Sequence, residues 1–444
     1  MITTVFTGLF ADNYPDQHYV LQGEELFLHA EKVSGIRATD DGRSISLEEG
    51  YSMGYIIFES DSADYPFNRG LPSWNGTAPD VNSGFMVQMR FPYGNGWSPW
   101  LTVGFWKAYI WNSYGTTSYG GGFIDYDYVK LSEYRDKWQF KILMARISLS
   151  EESPTVSKLS FFASDTRTTD ATDYTMLLND KPAEILIPTE FLYQYGIDDE
   201  IGPSICSPTS VSMVLKSYHI EVDPLQFARD TRDPYWGIFG IWPRVVQNAS
   251  EFGLDGAVTR YRTWSETREV LANGGRIVIS VGPPLYTGHL MMLAGFTSGG
   301  SPIVHDPARS NGYAYVYDKN ELAHSWFEKG GIAYTFFQAD SQLSAFQAPS
   351  LSAVLPENFH LHQNYPNPFN TGTRIPFTLT RPAEIEMIIF DARGRKVRSI
   401  YQGTNSAGTH SVYWNASHLP SGSYYIQMLA GSVYRKTIKA VIIK

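Results

Sequence analysis

The sequence predicts a multidomain, largely β protein: an N-terminal β-sandwich, a central α+β domain and a small C-terminal β-sandwich. The chain has 444 residues, 43% of them hydrophobic, which is long enough for two to four domains that each bury a core. An aromatic content of 15%, combined with 38 Gly and 25 Pro, indicates many short strands joined by tight turns. Two segments with little periodicity separate the three domains.

The composition of each segment sets the expected domain bounds. Residues 1–165 alternate short apolar runs with Gly, Asn and Asp turns, as a sandwich of the jelly-roll or carbohydrate-binding type does. Residues 166–184 are rich in Thr and Asp and predict a linker. Residues 185–342 show helical patterns first and apolar strands second, which indicates an α+β domain. Residues 343–357 predict a second linker, and residues 358–444 a small β-sandwich.

Charge and hydropathy exclude two classes of function. The net charge of −10 and the lack of a basic stripe argue against nucleic-acid binding. No apolar run is long enough to span a bilayer, so we expect no membrane span. The first residues lack the basic and hydrophobic regions of a signal peptide, and if the protein is exported we expect that such a peptide has been removed or precedes this sequence.

Tryptophans and paired acids in the N-terminal domain allow two interpretations each. Trp97, Trp100 and Trp106 lie close in sequence, as in a sugar-binding platform, but sandwich cores also use tryptophan. The acids Asp125 and Asp127 have the residue type of a metal or acid/base site, yet their turn-like context is ordinary for solvent-facing carboxylates. We therefore predict no metal site and no cofactor.

Cys206 is the only cysteine in the chain, and it directly precedes a predicted buried helix. A helix N-terminus presents unpaired N–H groups and positive partial charge, which favour the reactive thiolate. Pro208 suits the first turn of this helix, and Val211 and Leu215 recur at helical spacing. A free cysteine is also among the most buried residue types, so the local motif allows either a nucleophile or a core residue.

Further residues have the types and the order that a cysteine nucleophile requires. His289 follows a glycine at the start of an apolar strand, which would hold a base rigidly, although a half-buried strand histidine is the alternative. Asp306 ends the next strand, and antiparallel pairing would bring its carboxylate near His289. His305 is a rival base, but strand alternation points it to the opposite face. The amide of Gln194 and the backbone N–H of Cys206 are the candidate oxyanion donors.

Together these residues resemble the papain-fold cysteine peptidases related to the bacteriocin leader-processing enzymes, the group numbered thirty-nine among cysteine peptidases. The resemblance implies a papain-like central domain in which Cys206 is the nucleophile, His289 the base and acid, Asp306 its orienting partner and Gln194 an oxyanion donor. Ser207 departs from the glycine of many relatives, and Gln194 lies farther from Cys206 than in papain. The matching segments are Gln194, Cys206–Ser210, Met213–Leu215, Gly288–His289 and Asp306–Ala308.

The C-terminal domain resembles the sorting domains of the Bacteroidetes-type type IX secretion system. This resemblance implies recognition by that secretion machinery, export across the outer membrane, and either surface attachment or release. An autonomous carbohydrate-binding module is the competing interpretation of this domain. The matching segments are Asn364–Asn370, Asp391–Gly394, Ala407–Gly408, Trp414–Asn415 and Ser421–Tyr424.

These observations predict a secreted cysteine peptidase that hydrolyses a peptide or protein substrate through a Cys-His-Asp triad and an acyl-enzyme. A second hypothesis is a surface protein that binds glycans or proteins, with a glycan on its N-terminal domain and a catalytically silent central domain. A third hypothesis keeps the thiol chemistry but assigns it to an amidase that acts on peptidoglycan.

Overall fold

The computed structural model describes residues 2–6, 16–108, 111, 114–166, 172–339, 359–379, 383–391, 395–406, 408–430 and 434–444. The chain forms two compact units, Met1–Ser352 and Ala353–Lys444. The predicted linker at residues 343–357 lies outside the described residues, and the bounds of the three domains stay a prediction. Among the described residues, no helix is both long enough and apolar enough to cross a membrane.

The first part of the Met1–Ser352 unit is a β-sandwich, as predicted. Its strands pair antiparallel, and a short helix, α1 (Glu25–Leu28), follows the second of them. The strands are β1 (Ile2–Phe6), β2 (Asp16–Gln22), β3 (Ala30–Ser34), β4 (Ile36–Ala38), β5 (Ile45–Leu47), β6 (Met53–Phe58), β7 (Asp61–Thr77), β8 (Ser83–Arg90), β9 (Pro92–Tyr93), β10 (Gly96–Trp97), β11 (Leu101–Lys107), β12 (Ser118–Tyr119), β13 (Gly122–Asp125), β14 (Tyr128–Arg146) and β15 (Thr155–Ser164).

Strand β14 joins the two sheets of this sandwich. Its residues up to Trp138 pair with β7, with shifts of register on either side of Arg135, and its residues from Gln139 onward pair with β8. Strands that change sheet at such irregularities form the closed corners of sandwiches. The core between the sheets is aromatic, and Phe67 packs edge-on against Trp138 and Phe161 with ring centroids 5.7 and 5.3 Å apart.

The rest of this unit is an α+β domain with one antiparallel sheet, in the order β17-β22-β18-β19-β20-β21, and with β16 paired to β19. The strands are β16 (Ile185–Leu186), β17 (Leu254–Arg260), β18 (Arg276–Val281), β19 (His289–Phe296), β20 (Pro302–His305), β21 (Tyr315–Val316) and β22 (Ile332–Gln338). The helices are α2 (Tyr174–Asn179), α3 (Cys206–Ser217), α4 (Pro224–Thr231), α5 (Trp242–Ser250), α6 (Trp264–Ala272) and α7 (Lys319–Phe327).

Two helices differ from the predicted order of elements. Helix α7 lies between β21 and β22, so the helices do not all precede the sheet. Its N-cap residue is Asp318, whose side chain accepts a hydrogen bond from the Glu321 N–H at 3.0 Å, and this helix was not among the predicted ones. Helix α2 lies within residues 166–184, the segment expected to be a linker.

Side chains of the sandwich hydrogen-bond the backbone and side chains of the α+β domain. The Asn75 side chain makes both possible bonds to Gly256 in β17: its Nδ2 donates to the Gly256 carbonyl at 2.7 Å, and its Oδ1 accepts from the Gly256 N–H at 2.8 Å. These contacts explain why both regions lie in one compact unit. In the opposite direction, the Gln247 and Arg244 side chains of the α+β domain donate to the Gly76 and Phe105 carbonyls. Lys158 and Asp16 of the sandwich form ion pairs with Asp255 and Arg262.

The Ala353–Lys444 unit is a small sandwich of two antiparallel sheets, as predicted. The strand orders are β23-β24-β27 and β26-β25-β28-β29, and the core between the sheets includes Ile375, Met387, Trp414 and Ile426. The strands are β23 (Phe359–Leu361), β24 (Gly372–Leu379), β25 (Ala383–Asp391), β26 (Lys396–Asn405), β27 (Gly408–Asn415), β28 (Gly422–Ala430) and β29 (Tyr434–Ile442).

Candidate active site

Cys206 is the first residue of α3, at the position that the sequence predicts. Its N-cap residue, Ile205, provides no side-chain hydrogen bond to the first turn of the helix. The helix packs against β19, and the Ser210 hydroxyl donates to the Leu290 carbonyl at 3.0 Å. This contact fixes the start of α3 beside the start of β19, where His289 lies.

The pairing of β19 with β20 brings His289 and Asp306 together. Met292 faces His305 in the register, so Asp306, one residue later, lies diagonally across from His289 on the same face. The Nε2 atom of His289 is 2.7 Å from Asp306 Oδ1, and both side chains are buried. Because Nε2 is engaged by Asp306, Nδ1 is the ring nitrogen left for the hydrogen bond to the Cys206 thiol.

The Asp306 carboxylate accepts three hydrogen bonds besides that of His289. The Tyr286 and Tyr317 hydroxyls donate to Oδ2 at 2.7 and 2.6 Å, and the Ala308 N–H donates to Oδ1 at 2.9 Å. A buried carboxylate is stable only with such partners. The Ala308 contact is typical of an Asp-Pro turn, and the pair Asp306-Pro307 in the sequence indicates such a turn. The tyrosines come from two other segments, and no spacing in the sequence points to them.

Mutual contacts set the charges of the nucleophile and the base. Burial raises the pKa of the Cys206 thiol, but the hydrogen bond and the charge of His289 outweigh it, with help from the backbone of Leu290 and Ser207, and the pKa is lowered overall. Burial lowers the pKa of His289, while its bonds to Asp306 and Cys206 raise it to about 9. Both shifts have the sign that favours a thiolate beside an imidazolium.

The Asp306 carboxylate remains charged because its hydrogen-bond partners outweigh the effect of burial on its pKa. Burial raises the pKa of Asp306, but the hydrogen bond and charge of His289, followed by the hydroxyls of Tyr317 and Tyr286, lower it to about 2. Since this pKa lies below the value of about 3.9 for an unfolded aspartate, the stabilisation is fully present above pH ~4 and is lost as the pH falls toward 2.

We expect Tyr317→Phe to lower the free energy of unfolding by about 1.5–3 kcal/mol at pH 7, because it removes a hydrogen bond to a charged group. The variant also raises the pKa of Asp306, so its deficit against the wild type shrinks as the pH falls from 4 to 2 and the carboxyl becomes protonated. Urea unfolding across this range measures both effects. Tyr313→Phe, at an exposed tyrosine, is the matched control and should change nothing. A deficit that is independent of pH would contradict the role given to the Tyr317 hydroxyl.

Gln194 is buried in the short 3₁₀ segment Gln194–Gly196, upstream of the nucleophile. Its Nε2 donates to the Gly202 carbonyl at 2.8 Å, and its backbone N–H donates to the Pro307 carbonyl at 2.9 Å, beside Asp306. Within the described part of the chain, its Oε1 has no hydrogen-bond partner. The side chain therefore keeps one further N–H with which to donate.

The rival candidates take structural roles. His305 bonds to the Ile187 carbonyl at 2.9 Å through Nε2 and accepts from the Ala314 N–H at 3.0 Å through Nδ1, so neither nitrogen is left for the thiol. Asp127 accepts from the Trp242 N–H at 2.8 Å at the start of α5. Among the residues that the structure describes, no three His, Cys, Asp or Glu side chains are arranged to hold a metal ion.

The tryptophans of the N-terminal domain are covered by other side chains. The Arg90 guanidinium lies 5.1 Å from the Trp97 ring and 4.4 Å from the Trp100 ring. Trp106 is buried, and its Nε1 donates to the Glu251 carboxylate at 2.6 Å. These contacts favour packing over a sugar-binding platform, because stacked sugars need open ring faces.

Three family models match separate parts of the chain. Residues 188–334 match the Peptidase_C39 like family, and residues 10–164 match the Peptidase C39 N-terminal domain. Residues 365–432 match the FlgD Ig-like domain. No curated protein matches the chain.

Solved structures show only slight similarity. A beta-glucuronidase from glycoside hydrolase family 2 is 9% identical with a TM-score of 0.17, and the match covers 43% of this chain and 24% of that enzyme. For the Faecalibacterium prausnitzii beta-glucuronidase the identity is 10% and the TM-score 0.15, with 88% of this chain and 38% of that enzyme covered. The chain thus spans less than half the length of these enzymes.

Proposed function

We propose that the protein is a papain-like cysteine peptidase that hydrolyses peptide bonds with Cys206 as its nucleophile, since residues 188–334 match the Peptidase_C39 like family. The observation that carries the proposal is the contact of His289 Nε2 with Asp306 Oδ1 at 2.7 Å, in a site where His289 lowers the pKa of the Cys206 thiol. A nucleophile, a base within hydrogen-bonding reach and a third group that orients the base are what nucleophilic catalysis requires.

The reaction proceeds in two halves. The Cys206 thiolate attacks the carbonyl carbon of the scissile bond, a C–S bond forms, and the carbonyl electron pair moves to the oxygen. The His289 imidazolium then gives its Nδ1 proton to the amine nitrogen, the C–N bond breaks, and an acyl-enzyme remains. His289 next takes a proton from water, whose oxygen attacks the thioester and releases the acid and the thiolate. Asp306 holds the imidazole in the tautomer that serves both steps.

The oxyanion that forms in each half is stabilised by Gln194 and the backbone N–H of Cys206. We expect Gln194→Ala to lower kcat by about 10²–10³-fold with little change in KM, since the oxyanion exists only near the transition state. Iodoacetamide alkylation of Cys206 forms no oxyanion and should keep its wild-type rate. Loss of alkylation together with hydrolysis would instead assign Gln194 a structural role through Gly202.

A substrate screen tests the proposed function. The full-length protein is incubated with a peptide library and with muropeptides, and products and any acyl-enzyme on Cys206 are identified by mass spectrometry. We expect peptide cleavage that iodoacetamide blocks. Cleavage of muropeptide amides alone would favour the peptidoglycan amidase. No cleavage, together with an unreactive Cys206 at pH 7, would favour the surface-binding protein with a silent central domain.

Residues 358–444 direct the enzyme to the type IX secretion machinery, and the protein is released or held at the cell surface. The support is the sequence resemblance, together with a compact unit of its own for Ala353–Lys444. Expression in a bacterium that has this machinery, with and without residues 353–444, tests the assignment. Equal amounts of both forms outside the cells would refute it.

A further inference from the structure

The loop from Asp233 to Ile241, which joins α4 to α5, lies directly beside the nucleophile. Phe239 is buried in a small apolar cluster with Ile205, the residue before Cys206. A Cβ atom placed on Gly240 would be 3.4 Å from the Ser207 Cβ. The loop therefore forms a wall next to the start of α3.

This wall carries exposed aromatic rings, one of which meets the N-terminal domain. Trp236 is 41% exposed and Tyr235 is 52% exposed. The Trp236 ring packs edge-on against Tyr126 of the sandwich, which is 38% exposed, with ring centroids 4.8 Å apart. Exposed aromatic clusters of this kind mark binding surfaces, because single exposed apolar residues are common but contiguous ones are not.

The sandwich fixes the conformation of the loop. Asp233 is buried, and its Oδ1 accepts the N–H groups of Tyr235 and Trp236 at 2.9 and 2.8 Å. The Tyr114 hydroxyl of the sandwich donates to the other oxygen, Oδ2, at 2.5 Å. The carboxylate is thus fully engaged in holding the turn that presents Trp236, and a side chain of the N-terminal domain is one of its three partners.

A second contact comes from the two-residue turn between β13 and β14. Tyr126 has φ 59°, a left-handed conformation that is unfavourable for a residue other than glycine. Asn-Gly or Asp-Gly would relieve this strain in such a hairpin. Both turn residues reach the loop region instead: Tyr126 contacts Trp236, and Asp127 accepts the Trp242 N–H at 2.8 Å. Strain kept at a point of contact indicates a function for that contact.

We infer that Tyr126 and Trp236 form a substrate subsite, shared between the two domains, that binds an apolar or aromatic side chain of the peptide. This inference rests on the proposed peptidase function. Trp236 lies four residues from Gly240, so the chain between them spans at most about 14 Å. The step from Gly240 across to Cys206 adds about 10 Å, and an extended substrate advances about 3.3 Å per residue, which places the recognised side chain within about seven residues of the scissile bond.

The chemistry of the subsite selects an apolar group. Tyr126 and Trp236 present ring faces and edges, and the nearby Asp233 has its carboxylate bonded to the loop and to Tyr114, so it is not free to hold a cation. Burial of a leucine or phenylalanine side chain against such rings is worth about 1.5–3 kcal/mol, which corresponds to roughly a 10–150-fold preference over a small residue.

Peptide series that vary one position at a time on both sides of the cleaved bond test this subsite. We expect the wild type to prefer Leu or Phe over Ala by about 10-fold or more at one position, and Trp236→Ala and Tyr126→Ala to abolish that preference. Trp236→Phe should restore part of it. Tyr51→Ala, at an exposed tyrosine elsewhere in the sandwich, is the matched control and should keep the preference. Alkylation of Cys206 should proceed at the wild-type rate in every variant.

The outcomes separate the subsite from the catalytic proposal. If the wild type cleaves peptides and both alanine variants keep the same preference, the subsite is refuted and the peptidase function stands. If the variants lose only the cleavage of glycan-bearing muropeptides, the rings bind sugar and the peptide assignment is wrong. If the wild type cleaves no peptide while Cys206 is readily alkylated, the proposed peptidase function is refuted, and the proposed subsite is refuted with it.

Discussion

Cys206→Ala is expected to lower peptide hydrolysis by about four to six orders of magnitude while the protein remains folded. The loss is this large because the triad acts as a unit: without the sulfur no acyl-enzyme forms, and His289 and Asp306 have no nucleophile to serve. Cys206 is only partly exposed and contributes one small atom to the packing of α3, so the change in stability is small. Initial rates on the best peptide, with circular dichroism as the check on folding, measure both effects.

Cys206→Ser provides the matched variant. It keeps the size and the hydrogen bond of the side chain, but a hydroxyl does not ionise beside His289 as a thiol does, and we expect nearly the same loss of activity. In the wild type, iodoacetamide should react with Cys206 faster at pH 7 than with the thiol of a free cysteine, because His289 lowers the pKa of the Cys206 thiol. Hydrolysis by Cys206→Ala within tenfold of the wild-type rate would remove Cys206 from the mechanism.

Asp306→Asn is expected to lower kcat/KM at pH 8 by about 10²–10⁴-fold. A neutral amide neither stabilises the imidazolium nor fixes the tautomer that directs Nδ1 at the thiol. The pKa of His289, raised to about 9 in the wild type, therefore falls, and the thiolate–imidazolium pair is lost. The Asp306 carboxylate only accepts hydrogen bonds, whereas the asparagine amide places an N–H donor among groups that are themselves donors. The variant therefore also loses stability.

The pH profile distinguishes this electrostatic role from a loss of folding. Wild-type activity should decline as the pH rises through about 9, where His289 loses the proton that the leaving amine needs. In Asp306→Asn this alkaline limb should move to lower pH. Asp125→Asn removes a carboxylate of the same type from a surface ion pair with Lys130 and should leave the profile unchanged. An alkaline limb that stays near pH 9 in Asp306→Asn would show that Asp306 does not raise the pKa of His289.

The positions of the catalytic candidates were predictable because each depends on a local signal. Cys206 begins a helix that Pro208 and the helical spacing of Val211 and Leu215 predict. His289 begins a strand, as predicted. Asp306 directly follows β20, and antiparallel pairing was enough to place it near His289. The amide of Gln194 is less well determined, since the structure uses one of its N–H groups to hold Gly202.

The sequence by itself thus determined the succession of sandwich, α+β domain and sandwich, the start of α3, and the order of Cys206, His289 and Asp306. Periodicity, turn residues and strand pairing act over a few residues and are visible in a single chain. Only the tertiary structure decided that Tyr317 donates to Asp306 and that Tyr126 of the sandwich contacts Trp236. These pairs join segments with no common period or motif, and burial and packing of the folded chain alone bring them together.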